Sequence, residues 1–431
     1  MTRLSLLCFV TVGILCQSCS AETQTHFSQK IADFGDTVTY TATTYKNDVV
    51  SYVARKVDDF EYNPNQGSST IVSDEIIISD DDLLFGHGDD TATPNKDGLI
   101  NIVAVGDIMI GSSFPNVGFL PPNDGRDSFK YVKPYLKGDV VFGNLEGVLL
   151  DEGNSTKCPN TPAIDPETGQ PKPMTCYAFR MPTRYAKIIK DAGFNVLSLA
   201  NNHTGDFGDI GRTSTKNTLA DVGIYSAGLL SKPTTTFTKN GVKYGMVAFA
   251  PNIGTLSIND LETAKRYVKE LDKKVDIVIV SFHGGAEGAN HVRVPKTTEM
   301  YLNENRGDVY KFSHSLIDVG ADIVIGHGPH VTRAVEVYKD RFIAYSLGNF
   351  NTYGAFNVRG LNGIAPIVNV TMQTDGKFVS ADVASIYQTK ENGLMIDKNN
   401  RAFGELKRLT ELDFPNSGLV FRDNKITRSS K

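Results

Sequence analysis

The sequence predicts an α/β fold, and three observations lead there. From Leu99 onward, short runs rich in β-branched residues recur, and each ends in a polar cluster. Stretches with helical apolar spacing separate those runs and stop at glycine. The runs are continuously apolar, as in strands covered on both faces, and lack the alternation of a half-exposed sheet. Strands that alternate with helices build a sheet faced by helices.

The elements follow in order. Residues 99–105 (LINIVAV) run into Gly106 and Asp107. Residues 140–142 run into Gly143, Asn144, Leu145 and Glu146, and 195–199 into Asn201, Asn202 and His203. Residues 277–282 (IVIVSF) run into His283, Gly284 and Gly285. Residues 323–325 run into Gly326-His327-Gly328-Pro329-His330, and 342–347 into Gly348 and Asn349. Helices are predicted over 184–192, 261–271 and 309–319, the first stopped by Gly193 and the last by Gly320. No internal repeat is found.

Composition narrows the class. The chain is 431 residues long, 40% hydrophobic and 22% charged, which excludes wholesale disorder, collagen and coiled coil. Its 44 basic and 49 acidic residues give a net charge of -5, with no basic domain to engage nucleic acid.

The N-terminus reads as a secretion signal over 1–21. Arg3 precedes an apolar run at 4–15, shorter than the roughly 20 residues that span a bilayer. Two cleavage patterns fit. Ala21 with Cys19 suits ordinary signal peptidase, whereas Cys19 as a lipidated first residue makes a bacterial lipoprotein; the second is preferred. Either places the mature chain in the cell envelope, lipid-anchored or periplasmic or extracellular. Three of the five cysteines fall in this signal, leaving Cys158 and Cys176 around a proline-rich stretch. A disulfide between them would close a loop worth about 3 kcal/mol in the chain-entropy model. Residues 22–97 form an N-terminal extension whose acidic run at 74–90 reads as a solvated linker. The main domain is expected over 98–415, with a C-terminal tail over 416–431.

The chemistry is positional. Asp107, Asn144, Glu146, Asn202, His203, His283, His327 and His330 all sit just after strands. In open α/β sheets that edge is where ligands bind. Carboxylate, amide oxygen and imidazole suit Mn, Fe or Zn, and the absence of thiolate speaks against a structural zinc. Taken singly, Asp107 could cap a helix and His203 could be a core histidine. The Asp206-Phe207-Gly208 triplet matches a kinase motif by chance, since no kinase catalytic loop accompanies it. No P-loop and no G-x-S-x-G elbow is present.

The blocks VAVGDIMIGSSF, DVVFGNLEGVL, AGFNVLSLANNHTGDFG, DIVIVSFHGG, GADIVIGHGPHV and IAYSLGNF occur in that order over roughly 99 to 355. They resemble the CapA family of poly-γ-glutamate capsule-synthesis proteins, within the calcineurin-like metallophosphoesterase superfamily. The resemblance implies a four-layer α/β/β/α sandwich of the metallo-dependent phosphatase type, holding one or two divalent ions. It places Asp107 on the first metal, Asn144 or Glu146 at the bridging position and Asn202 on the second metal. His283, His327 and His330 complete the ligand set, and His203 becomes the general acid or anion-stabilising histidine. Three departures from the superfamily pattern stand out, and the first two bear on the first metal. Met109 stands where the superfamily has histidine, the bridging Asp is replaced by Asn144-Leu145-Glu146, and the last histidines are spaced His-Gly-Pro-His. The implied role is an exported metal-dependent hydrolase acting on poly-γ-glutamate, another anionic envelope polymer or a phosphoester, beside membrane-bound capsule-synthesis proteins. The alternatives are a non-catalytic polymer-binding or assembly protein and a plain phosphoesterase.

Overall fold

The computed structural model describes residues 26–33, 36–43 and 98–429, except 162–163, 167, 171–175, 355 and 391–392. The chain divides into two compact units, Met1–Val72 and Ser73–Lys431. In the first unit, His26–Asp33 and Asp36–Thr43 pair antiparallel. Residues 1–21, expected to be a secretion signal with Cys19 as its lipidation site, and the acidic run at 74–90 lie outside the described residues.

The second unit begins one sheet, crosses to another and returns. Strands β1 (Leu99–Met109), β2 (Val140–Leu145), β3 (Val196–Ser198) and β4 (Tyr225–Ala227) lie parallel and side by side. Helix α1 (Tyr185–Ala192) leads into β3, and α2 (Gly208–Asp221) leads out of it. The chain then crosses over. Strand β5 (Thr234–Lys239) turns through Asn240 and Gly241, both at positive φ, into antiparallel β6 (Val242–Ala250). Strands β6, β7 (Ile277–His283) and β8 (Ile323–His327) are parallel, joined by α3 (Leu261–Asp272) and α4 (Val309–Ile317). Strands β9 (Val335–Tyr338) and β10 (Arg341–Ala344) finish that sheet. Strand β11 (Asn349–Thr352) returns to lie parallel to the end of β1, and β12 (Ile364–Gln373) lies antiparallel to its start. Strand β13 (Phe378–Thr389), helix α5 (Arg401–Asp413) and the hairpin of β14 (Leu419–Arg422) and β15 (Lys425–Arg428) complete the unit.

The core shows the layers. One cluster takes Ile102, Phe142 and Val368 from the first sheet and Met246, Ile279 and Ile325 from the second, so the two sheets face each other. Behind the first sheet, Val103, Val141 and Leu197 meet Tyr185 and Ile189 of α1 and Leu219 of α2. Behind the second, Val278, Val280 and Val324 meet Val268 of α3 and Leu316 of α4. This is the four-layer α/β/β/α sandwich. Burial of each such aliphatic side chain contributes about 1.5–3 kcal/mol relative to exposure.

Two elements have no clear sequence signal. Helix α2 buries Gly211, Thr215 and Leu219, a face too polar to register as an apolar stripe. It is held instead by hydrogen bonding, with Thr215 Oγ1 accepting from Leu149 N–H at 2.9 Å. Residues 416–431, expected to trail as a tail, contain β14 and β15, and β15 pairs with β13. Their turn is Asp423-Asn424, both at positive φ, which suits a tight hairpin.

The pairing of β1 with β2 carries an irregularity between Ala104 and Asp107. Ile102 and Ala104 belong to the core between the sheets, and Val103 and Val105 to the core behind. Simple alternation would send Asp107 backward with Val105. Instead one extra residue in β1 reverses the phase, and Ile108 packs in the rear core. Gly106 makes this passage tight, since a Cβ there would lie 1.8 Å from Gly348 O. Gly106→Ala should therefore lower stability by about 1–3 kcal/mol. Gly404→Ala, where a Cβ on α5 meets nothing within 4 Å, should be neutral or slightly stabilising. Paired thermal melts of the two variants check this.

Candidate metal centre

Strand parity brings the polar side chains together. Ile277 and Ile279 of β7 face the other sheet, so His283, an even number of residues on, shares that side at the strand end. Ile323 and Ile325 of β8 do the same for His327, and His283 and His327 are direct register partners. Val140 and Phe142 aim Asn144 inward, where it is the register partner of Asp107. The site therefore lies where the carboxyl ends of the two sheets meet. His330 joins from the next turn, itself in the left-handed region at φ 57, with Asn362 Nδ2 donating to its carbonyl at 3.1 Å.

The groups are close and buried. Asp107, Glu146 and His330 offer ligand atoms that all lie within 4.8 Å of one another. His330 Nδ1 is 3.0 Å from Asp107 Oδ2, and its Nε2 is 3.6 Å from Glu146 Oε1. His283 Nε2 is 3.4 Å from Glu146 Oε1, and His327 Nδ1 is 3.2 Å from Asp107 Oδ1. Yet both oxygens of Glu146, both ring nitrogens of His283 and His327, and Asn202 Oδ1 are buried without a hydrogen-bond partner. Orphaned polar atoms at such density are costly unless something binds them. Oxygen and nitrogen donors converging without thiolate fit a divalent cation.

Backbone groups set the polarity of the amides beside the cluster. His203 N–H donates to Asn201 Oδ1 at 3.0 Å, and Asn201 Nδ2 donates to Leu145 O at 2.9 Å. With Asn201 so oriented, its Nδ2 also donates to Asn144 Oδ1 at 3.0 Å. Asn144 Nδ2 then donates to Asp107 Oδ1 at 2.9 Å. The Asn144 oxygen is thus engaged, and Glu146 presents the free oxygens at this edge.

His203 belongs to a second buried group. Its Nδ1 is 2.7 Å from Asp206 Oδ2, which also accepts from Phe179 N–H at 2.8 Å. Lys157 Nζ lies 3.1 Å from Asp206 Oδ1. Asp206, already serving a backbone N–H and an ammonium, acts as acceptor, so Nδ1 carries the proton. The Phe179 ring stacks on His203 at 4.1 Å between centroids. Asp206, Lys157 and Asn201 are the functional neighbours that motif reading misses. The available signal for Asp206 is its position three residues after His203 in a buried turn.

Charge follows burial. Burial opposes ionisation of Asp107, but contacts with His327 and His330 hold its carboxyl well below the usual range. Burial, then the Asp107 charge, pushes Glu146 well up. Burial works against a charged His330, but Glu146 and Asp107 outweigh it and push the ring up to about 10. Burial, then the Arg306 charge, holds His283 well below the usual imidazole value, so it is neutral and ligand-competent. Burial also lowers His203 against the pull of Asp206.

Other polar residues serve the frame. Met109 is fully buried and packs among apolar side chains, so its position adds no nitrogen or oxygen donor. Arg333 donates to both oxygens of Glu299 at 2.8 Å and to the carbonyls of Ala286 and His291, pinning the loop after His283. Glu336 accepts from Tyr345 O–H at 2.8 Å and pairs with His314 at 2.9 Å. The Cys158 and Cys176 sulfurs are bonded to each other.

Comparison with known proteins places the chain. The family described as Bacterial capsule synthesis protein PGA_cap matches residues 101–353, the span of the six sequence blocks. The capsule biosynthesis protein CapA of Bacillus anthracis is 32% identical over 277 residues, 58% of this chain and 59% of that protein. The PGA biosynthesis protein CapA of Bacillus subtilis (strain 168) is 30% identical over 273 residues, 59% of this chain and 64% of that protein. The matched part thus spans under two thirds of either relative. Among solved structures, a hypothetical protein from Thermus thermophilus aligns with TM-score 0.40 and 15% identity, over 67% of this chain and 100% of that one.

Cation binding here has a defined proton signature. Glu146 and His330 hold protons more tightly than free side chains do and must shed them to become ligands. Binding of Mn or Zn should release protons and weaken as pH falls, which calorimetry in buffers of different ionisation enthalpy measures. Glu146→Gln and His330→Asn should each lower metal per chain, read by elemental analysis after purification without chelator.

Proposed function

The chain belongs to the bacterial capsule synthesis protein PGA_cap family, and on that premise we propose that it is an exported, metal-dependent hydrolase of the cell envelope. Its substrate is poly-γ-glutamate, another anionic polymer or a phosphoester, handled beside membrane-bound capsule-synthesis proteins. The observation that carries this is the set of buried, unpartnered oxygen and nitrogen donors next to a histidine whose Nδ1 is already committed. Among the described residues no helix is long and apolar enough to cross a membrane.

Asp107, Glu146, His283, His327 and His330, with Asn202 beside them, would hold one or two Mn, Fe or Zn ions. Bound there, such a cation supplies a water of lowered pKa and a Lewis acid for a phosphoryl or acyl oxygen. His203 handles the proton. Asp206 anchors Nδ1–H, so Nε2 takes up a proton and delivers it to the leaving group. The Lys157 ammonium beside this pair adds positive potential for an anionic substrate.

The second reading is a non-catalytic protein that grips anionic chains. It is favoured by the engagement of the Asn144 oxygen with Asn201 and by the thioether of Met109 in place of an imidazole, each of which removes a donor from the set.

His203→Ala should reduce turnover by about 10²–10⁴-fold while metal content stays at the wild-type level. Equal rates would sink the proton-transfer role. Release of glutamate from γ-glutamyl oligomers, measured against phosphate release from a generic phosphoester, separates the two hydrolase substrates. Binding of the oligomer with no turnover of either points to the second reading.

A further inference from the structure

We infer that the Cys158–Cys176 disulfide is a clamp on the His203–Asp206 pair, so that the pair is assembled in the oxidised chain and loosened in the reduced one. The consequence for turnover rests on the proposed role of His203; the clamp itself rests on geometry. Among the described residues between Leu149 and Arg180 there is neither helix nor strand. The two ends of this segment provide much of the setting of the pair. From the first end, Lys157 Nζ is 3.1 Å from Asp206 Oδ1 and donates to Asn202 O at 3.3 Å. Ser155 Oγ and Thr156 N–H donate to Asp206 O at 2.9 and 3.0 Å. From the second end, Phe179 N–H donates to Asp206 Oδ2 at 2.8 Å and the Phe179 ring covers His203.

The disulfide joins these two ends, one residue beyond Lys157 and three before Phe179, with Cα atoms 5.7 Å apart. Cys158 packs with Phe114, Val148, Leu150, Ala178 and Phe207 in a small cluster separate from the three main cores. Phe179 is held besides by its carbonyl, which accepts from Val148 N–H at 3.0 Å, and the disulfide ties the Lys157 end to it. Lys157 and Phe179 are thus positioning residues, acting on His203 through Asp206 and ring stacking.

The redox step balances by thiol–disulfide exchange. One cysteine thiolate attacks a disulfide-bearing oxidant and forms a mixed disulfide. The second cysteine displaces the remaining oxidant sulfur. The protein gains one S–S bond, and the oxidant leaves as two thiols carrying the two electrons and two protons. Such oxidants act in the compartment that an exported chain enters, so the pair would be completed only after export.

The test compares folded wild-type protein before and after reduction by a phosphine, the Cys158→Ser/Cys176→Ser pair, and Lys157→Met with the disulfide intact. The readout is the ring-nitrogen NMR signature of His203, with metal content and melting temperature alongside. The oxidised wild type should show a single Nδ1–H form. Reduction, the serine pair and Lys157→Met should each blur that signature at unchanged metal content. With a substrate in hand, kcat should fall by about a hundredfold with KM nearly constant, near the low end for a positioned proton-transfer group. A His203 signature unmoved by reduction overturns the clamp, whatever Lys157→Met does and even if melting temperature drops, because a plain loop staple predicts that result. If the serine pair does not fold, reduction still decides. The expected signature changes in a protein that turns over nothing would support the clamp and sink the hydrolase reading separately.

Discussion

The Asp107 carboxylate is a negative charge with almost no water around it, at 1% exposure, and the surrounding site is arranged to tolerate that charge. An unpaired buried charge costs several kcal/mol, so every neighbour that can donate is recruited. Asn144 donates from one side, His330 approaches from another, and the Asp107 N–H is tied to Gly348 O at 2.9 Å. The Asn144 amide then obliges Asn201 to turn a donor toward it, and Asn201 in turn accepts from the His203 backbone. The carboxylate at one end and the Leu145 and His203 backbone at the other thus agree on the polarity of a chain of hydrogen bonds that reaches His203. The same charge raises the proton affinity of His330 and Glu146.

Two kinds of scaffold support the two halves of the site. The ligand half stands on strand ends of two facing sheets, whose shared core of buried aliphatic residues resists movement. The histidine half stands on turns and on the residues around Cys158 and Cys176, held by side-chain hydrogen bonds, one stacked ring and a disulfide.

Several parts of the site are legible from local pattern. The even spacing from Ile277 to His283 and from Ile323 to His327 assigns both histidines to one face, because a strand repeats every two residues. The helices over 184–192, 261–271 and 309–319 match α1, α3 and α4, since each carries a strong apolar stripe. Helix α2 and the last hairpin escape because their stability comes from Thr215 hydrogen bonding and from pairing to β13, neither of which leaves an apolar period. Asp206 escapes for a different reason. Its neighbours in sequence resemble an unrelated motif, whereas its partners Lys157 and Phe179 come from a distant segment.

By itself the sequence determined the alternation of buried strands and helices, the polar residues at the strand ends and the donor chemistry they share. Those are properties of neighbouring residues, governed by backbone period and side-chain type. Only the tertiary structure decided which of them meet. Parity along β1 sends Asp107 to the wrong face, and the added residue near Gly106 reverses it, a choice made by pairing with β2 and β11. His330 reaches Asp107 across 223 residues of chain, a contact that exists only once two separately built sheets pack face to face. Local periodicity carries no information about that packing, because the energy that selects it lies in the shared core between the sheets.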